Sequence, residues 1–299
     1  MSLLVVGSIA LDTVKTPKGE LKEGLGGSAT YFTIAASKFT NVSIVGVVGE
    51  DFPKEYIELL RDCGANLDGL KVMSGKTFRW HGVYEDEFGD PKTLLTELNV
   101  FEKFKPELPN HYKDLPFVFL ANIHPALQLE VAKQMRKPKL IAADTIECWI
   151  KNEPDALREV ISSVDIFFLN EAELRMITGE KSPLLGAEKL LSLGPEWIML
   201  KRGVFGSMLI GKNGMFMLPA YPTTNVVDPT GAGDSFAGGM MGFIARVGDI
   251  SFDTMKKAVA YGTIMGSFCV EGFSTNRLVE VNQEMIKERL IELANMTRL

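Results

Sequence analysis

Short apolar runs recur along the chain, and helical patterns fill the spaces between them. Leu3–Val6 ends at Gly7, and Val42–Val48 reads VSIVGVV. Phe117–Leu120 and Leu140–Ala143 flank a helical Ala126–Met135, and Val164–Leu169 reads VDIFFL. Trp197–Leu200 and Ser207–Ile210 continue the series. Strands without polar alternation are buried on both faces, the condition of a parallel sheet covered by helices on each side. Helices are expected over Ser28–Lys38 and over Phe52–Cys63, the second stopped by Gly64. Another runs from the end of Val164–Leu169 through Met176 and stops at Gly179. After Pro222 the pattern turns helical: Ala232–Val247 is small or apolar on nearly every face and predicts a buried helix, followed by Phe252–Val270. Val281–Met296 places Ile286, Leu290 and Leu293 on one stripe, a surface helix.

Two stretches break the alternation. Residues 11–23 and 77–97 read as antiparallel ribbon. In the second, Phe78, Trp80 and Tyr84 share one face, and Thr77, Arg79, His81 and Val83 the other. The turn Asp86–Pro91 joins it to Lys92–Glu97. Ribbons this small hold no core of their own, so they predict a lid or edge extension on an α/β body. An aromatic stripe in a lone hairpin must be covered, by the cleft, by its own body or by a second subunit. If it is covered by a second subunit, Arg79 and His81 face the active site.

Composition narrows the chemistry. The 299 residues are 46% hydrophobic and 23% charged, as in globular domains. The net charge of −6 gives no general attraction to nucleic acid or an anionic membrane. No run approaches the roughly 20 apolar residues of a membrane span. Met1–Gly7 lacks a basic n-region and a cleavage pattern, and reads as the first strand. Three cysteines and three histidines form neither a disulfide framework nor a zinc spacing. A cytoplasmic enzyme without zinc is the expectation.

The richest segment is Asp228–Gly239, DPTGAGDSFAGG. Thr230 is placed to cap the helix that follows. Gly231, Ala232 and Gly233 leave first-turn N–H groups open to an anion, helped by the helix dipole. Asp234, in that first turn, is placed to take a proton from an alcohol attacking phosphorus. Asp12 follows a strand and a small-residue turn, where α/β sheets bind ligands. Asn170 and Glu173 stand at a strand end with i,i+3 spacing on the next helix. Mg²⁺, which takes waters and one or two carboxylates beside substrate phosphates, suits such a pair better than a dedicated cage. Gly75-Lys76-Thr77 resembles the end of a Walker A loop, but the strand pattern after Thr77 denies it the required helix. His124 reads as a packing or network residue at a strand end.

The twelve-residue string resembles the C-terminal signature of the PfkB carbohydrate kinases, in the ribokinase-like superfamily. Further matches follow in order: Gly7–Asp12, the pair Gly26-Gly27, Gly46–Asp51, Asn170–Glu173, and Lys201–Gly203 with Gly206-Ser207. The resemblance implies a single PfkB domain over residues 1–299: a three-layer α/β/α sandwich with a mostly parallel central sheet and a small β-sheet lid. It implies an ATP- and Mg²⁺-dependent kinase acting on a hydroxyl of a sugar or cyclitol. Asp234 is then the base, with Gly231, Ala232 and Gly233 as the anion hole. Asp12, Gly26 and Gly27 hold the acceptor. Asn170, Glu173, Lys201, Gly203, Gly206 and Thr230 serve the nucleotide and phosphates, with Glu173 reaching Mg²⁺ through water. Asp228 and Thr230 fall where some members bind a monovalent cation such as K⁺. Related kinases dimerise through their lids, which implies a homodimer here.

One departure bears on the acceptor. The family's signature usually carries Asn four residues after the second glycine, and here that position is Tyr31. A phenol reaches further and donates one hydrogen bond. Ribose is therefore not the expected acceptor, and a cyclitol, another sugar or a nucleoside gains weight. The competing readings are a nucleoside kinase of the same superfamily and a non-catalytic sugar-binding protein on this scaffold. An intact Asp234 argues against the second, because binding alone needs no base. A Rossmann dehydrogenase is weakened by the lack of GxGxxG after the first strand.

Overall fold

The computed structural model describes residues 2–86, 89, 91–212 and 214–298. Its larger sheet runs in the order Gly214–Leu218, Ser207–Gly211, Trp197–Lys201, Ile166–Asn170, Leu140–Asp144, Phe117–Leu120, Leu3–Val6, Val42–Gly49, Ala65–Met73. All neighbours are parallel except at the first edge, where Ser207–Gly211 pairs antiparallel with both Trp197–Lys201 and Gly214–Leu218. Alternate residues of each apolar strand feed two separate cores. Leu3, Val5, Phe117, Phe119, Ile166 and Phe168 join one, and Leu4, Val6, Val118, Leu120, Phe167 and Leu169 the other. This is the physical reason for the unbroken hydrophobicity: neither face of the sheet meets water.

Helices Ser28–Ser37, Ala232–Val247 and Phe252–Cys269 cover the first face. Pro125–Gln134, Pro154–Ser162 and Pro183–Leu191 cover the second. The first layer is tight. A Cβ on Gly238 would lie 2.4 Å from the Phe32 carbonyl oxygen. The glycines of Ala232–Val247 thus seat its N-terminal end firmly, and that end carries the anion loop.

The expected sandwich and lid are present. The lid sheet runs Gly19–Gly26, Ala10–Thr16, Phe78–Val83, Lys92–Glu97. Its outer pairs are antiparallel ribbons, but its two central strands pair parallel, Asp12 opposite Trp80. Nothing in the local pattern points to this pairing, because it joins residues 68 apart in the chain. Two edge strands were also illegible. Ala65–Met73 mixes Asp68 and Lys71 into its run, and Gly214–Leu218 is half-exposed. Of the turn expected over Asp86–Pro91, Glu87, Phe88 and Asp90 lie outside the described residues. Among the described residues no helix is long and apolar enough to cross a membrane.

Candidate active site

The strands of the larger sheet deliver their C-terminal ends to one cleft beneath the lid, and the helix Ala232–Val247 points its N-terminus into it. Gly231 takes the left-handed conformation, φ 75°, at the N-cap. A side chain there is excluded twice: by that φ, and by the Tyr31 ring, which a Cβ would meet at 2.3 Å. Ala232 N–H is turned onto the Pro229 carbonyl at 3.2 Å. Among the described residues no bond leaves the N–H groups of Gly231 or Gly233, so these two amides, not all three, stand ready for an anion. Asp234 is half-buried in this first turn. Desolvation and the nearby Asp144 push its carboxyl up to about 8, against the pull of Lys201.

Across the cleft, Asp12 is the third residue of the lid strand Ala10–Thr16 and is 5% exposed. The Gly27 N–H bonds its carboxylate, but burial wins and raises it to about 7. The glycine pair is explained by steric demand. A Cβ on Gly26 would fall 1.9 Å from Asp12 Oδ2, and Gly27, φ 94°, would drive one into the Ser8 carbonyl at 2.5 Å. Tyr31 is fully buried under Gly231, its hydroxyl without a hydrogen-bond partner among the described residues. It packs as the floor of the anion loop.

Beside the helix start lies a cavity of about 440 Å³, lined by Lys201, Gly203, Gly206, Ser207, Val226 and Gly233 among others. Gly203 and Gly206 both have positive φ, and a Cβ on Gly206 would strike the Leu218 carbonyl at 2.1 Å. Ser207 Oγ is buried without a hydrogen-bond partner among the described residues. Asn170 and Glu173 form a capping box: Glu173 N donates to Asn170 Oδ1 at 2.8 Å and Asn170 N to Glu173 Oε2 at 2.7 Å. Lys201 is no solvated cation, for its Nζ lies 3.0 Å from Asp144 Oδ2. Arg202 turns away to Glu171 at 2.5 Å.

An open helix start bearing Asp234, the buried carboxylate of Asp12 and the glycine pair Gly26-Gly27 thus stand together. The chain matches the model of the pfkB family carbohydrate kinases over residues 2–282. It belongs to that family. A cytidine kinase of Thermococcus kodakarensis is 32% identical over 254 residues, 82% of this chain and 89% of that one. A Burkholderia thailandensis nucleoside kinase crystallised with ADP and inosine superposes with a TM-score of 0.82 at 15% identity, covering 98% and 96% of the two chains. Aminoimidazole riboside kinase from Salmonella enterica, complexed with aminoimidazole riboside and an ATP analogue, gives 0.79 at 20% identity over 97% and 100%. This pfkB kinase is therefore a phosphotransferase acting on hydroxyl groups. The reading as a non-catalytic binding protein falls with that.

Several sequence-level expectations for this kinase change in three dimensions. Thr230 does not cap the helix. Its hydroxyl donates to Tyr84 Oη at 3.1 Å and its N–H to Asp228 Oδ1 at 2.9 Å. Asp228 is fully buried, and its second oxygen accepts from Ser274 N at 3.2 Å, tying the anion loop to the loop after Phe252–Cys269. The aromatic face of the lid, not the Arg79 face, turns toward the site: Trp80 stands beside Asp12 in register and Tyr84 reaches Thr230. Phe78 stacks on Phe101 at 5.3 Å. Arg79 instead binds Asp51 at 2.8 Å and Glu23 at 2.9 Å, and Asp51 also holds Thr77, so this network fastens the lid to the body. The Walker-like Thr77 belongs to that fastening. His124 caps Pro125–Gln134 and pairs with Glu153 at 3.3 Å, a network role as expected.

Sequence reading missed Asp144 and Tyr84 as site residues. Asp144 had a visible signal, an acid closing an apolar strand. Tyr84 had half of one: it belongs to the aromatic face that has to be covered, but its partner Thr230 lies 146 residues further along the chain.

Proposed function

We propose that the protein is an ATP-dependent nucleoside kinase, transferring the terminal phosphoryl group to a hydroxyl of the nucleoside's sugar. The observation that carries this is the 32% identity to a cytidine kinase along most of both chains. The lid supports it: Trp80, half-buried on the Asp12 face, offers aromatic surface where a base attached to a held ribose would lie. A free sugar or cyclitol has no use for that surface, so the sugar acceptor is the weaker reading.

In this reading Asp12, with the Gly26-Gly27 backbone, accepts hydrogen bonds from the sugar hydroxyls. Asp234 takes the proton of the attacking hydroxyl, and the amides of Gly231 and Gly233 stabilise charge on the transferring group. Tyr31 supports Gly231 from below. The cavity beside Gly206 and the unpartnered Ser207 Oγ fit a nucleotide. For Mg²⁺ the donors fit a water-mediated ion: Glu173 presents a buried carboxylate at the strand ends, and no cluster of three or more His, Cys, Asp or Glu exists among the described residues. Mg²⁺, when bound, would offset charge on the phosphate oxygens. Tyr84 closes the lid onto Thr230 and keeps water from the reacting atoms. A homodimer through the lid rests on Leu94 and Leu95, both exposed on its edge strand.

A monovalent cation belongs to the same proposal. Asp228 is wholly buried, and among the described residues no Lys or Arg pairs with it. Replacing K⁺ by tetramethylammonium in the assay is therefore expected to slow turnover. An unchanged rate removes the cation from the mechanism.

The deciding experiment is ADP release from MgATP with cytidine, other nucleosides, ribose and inositol offered side by side. The highest kcat/KM is expected for a nucleoside. A preference for ribose or inositol overturns the reading.

A further inference from the structure

The strands Leu140–Asp144, Ile166–Asn170 and Trp197–Lys201 are neighbours, and their last residues open into the cleft together. Lys201 Nζ lies 3.0 Å from Asp144 Oδ2, with the side chains 19% and 5% exposed. The same ammonium stands 3.1 Å from where a Cβ on Gly233 would be, so it leans over the open amide of the anion loop. Asp144 Oδ1 is buried and has no hydrogen-bond partner among the described residues. A buried carboxylate satisfied at one oxygen by a single lysine contributes little to folding, because desolvation offsets much of the attraction. What such a carboxylate does well is fix a flexible ammonium in place and hold its charge where burial would remove it. Consistent with that, Asp144, Glu173 and Asp234 together raise the Lys201 pKa above its ordinary value, despite burial.

We propose that Asp144 is a positioning residue that holds the Lys201 ammonium over Gly233, where it meets the terminal phosphate of the donor. This rests on the kinase reading above. As the acceptor oxygen bonds to the terminal phosphorus, the bond from phosphorus to the bridging oxygen breaks. The bridging oxygen keeps the electron pair and leaves with the diphosphate, and the acceptor's proton passes to Asp234. Lys201 makes and breaks no covalent bond. It balances negative charge on the group in flight. Asp144 also competes with Asp234 for this lysine, which leaves the base free to take its proton.

The test uses Lys201→Met, Lys201→Arg, Asp144→Asn and the double variant Asp144→Asn/Lys201→Met, each checked for folding by thermal melting. Calorimetry with Mg²⁺ compares ADP and the non-hydrolysable triphosphate AMPPNP. Lys201→Met is expected to weaken AMPPNP by about tenfold or more, the worth of one charge-assisted contact. ADP should change by less than about threefold. Lys201→Arg should retain most of the AMPPNP affinity. Asp144→Asn should reproduce much of the loss and lower kcat with little change in acceptor KM. In the Lys201→Met background, Asp144→Asn should cost nothing further, because a positioning residue has nothing left to position. A full additional loss in the double variant overturns the proposal, as does equal weakening of ADP and AMPPNP. Because the binding arms need no acceptor, a failure of the nucleoside reading in the acceptor panel is distinguishable from a failure here.

Discussion

Asp234→Asn is expected to lower kcat by about 10²-fold or more while ATP binding persists, the loss typical of removing a general base. Asparagine keeps the size of the side chain and its place in the first turn but accepts no proton. The pH profile carries a second signature. The base works only when ionised, and burial with the neighbouring Asp144 raises its pKa to about 8. For the wild type, kcat/KM should therefore climb with pH and level off above about 8. The residual activity of Asp234→Asn should lack that limb. A folded Asp234→Asn protein with near-normal turnover would remove Asp234 from the chemistry.

Asp12→Ala is expected to reduce kcat/KM for the acceptor by about 10²-fold, since hydrogen bonds to a charged group contribute about 1.5–3 kcal/mol each. Nucleotide affinity should hardly move. The same change should make the protein more stable at alkaline pH. Burial raises the Asp12 pKa from 3.8 to about 7, so the folded state binds this proton more tightly than the unfolded chain does. That contribution is fully present below pH 3.8 and is lost as pH rises through about 7, where the buried carboxyl must ionise. Asp12→Ala removes the buried charge, so its melting temperature should gain on the wild type between pH 4 and pH 8. An acceptor affinity that does not change would reduce Asp12 to a turn residue. A difference in melting temperature that is flat with pH would show that its carboxyl ionises freely in the fold.

The layers and the glycine-rich segments were legible in the residue pattern alone. Apolar runs without alternation can only be buried on both faces, so Leu3–Val6, Val42–Val48 and Val164–Leu169 announced the covered parallel sheet. The string Asp228–Gly239 announced a helix start open to an anion, because φ and steric demands leave Gly231 no substitute. Asp12 and Gly26-Gly27 lie within one short stretch of chain, Gly26 lacking a side chain to make room for the carboxylate and Gly27 to clear the Ser8 carbonyl. Tertiary structure decided whatever depended on which segments meet. Lys201 read as a phosphate contact, and only the sheet order, with its strand two places from Leu140–Asp144, showed that Asp144 holds it at 3.0 Å. Tyr31 read as an acceptor contact until Gly231 was seen to rest on its ring. Thr230 read as a cap, but Tyr84 of the lid competes for its hydroxyl and wins. Side-chain periodicity reports which face of an element avoids water, and is silent on its partner. Partners are set by chain crossings between segments far apart in sequence, and here those crossings decided how Lys201, Tyr31 and Thr230 are used.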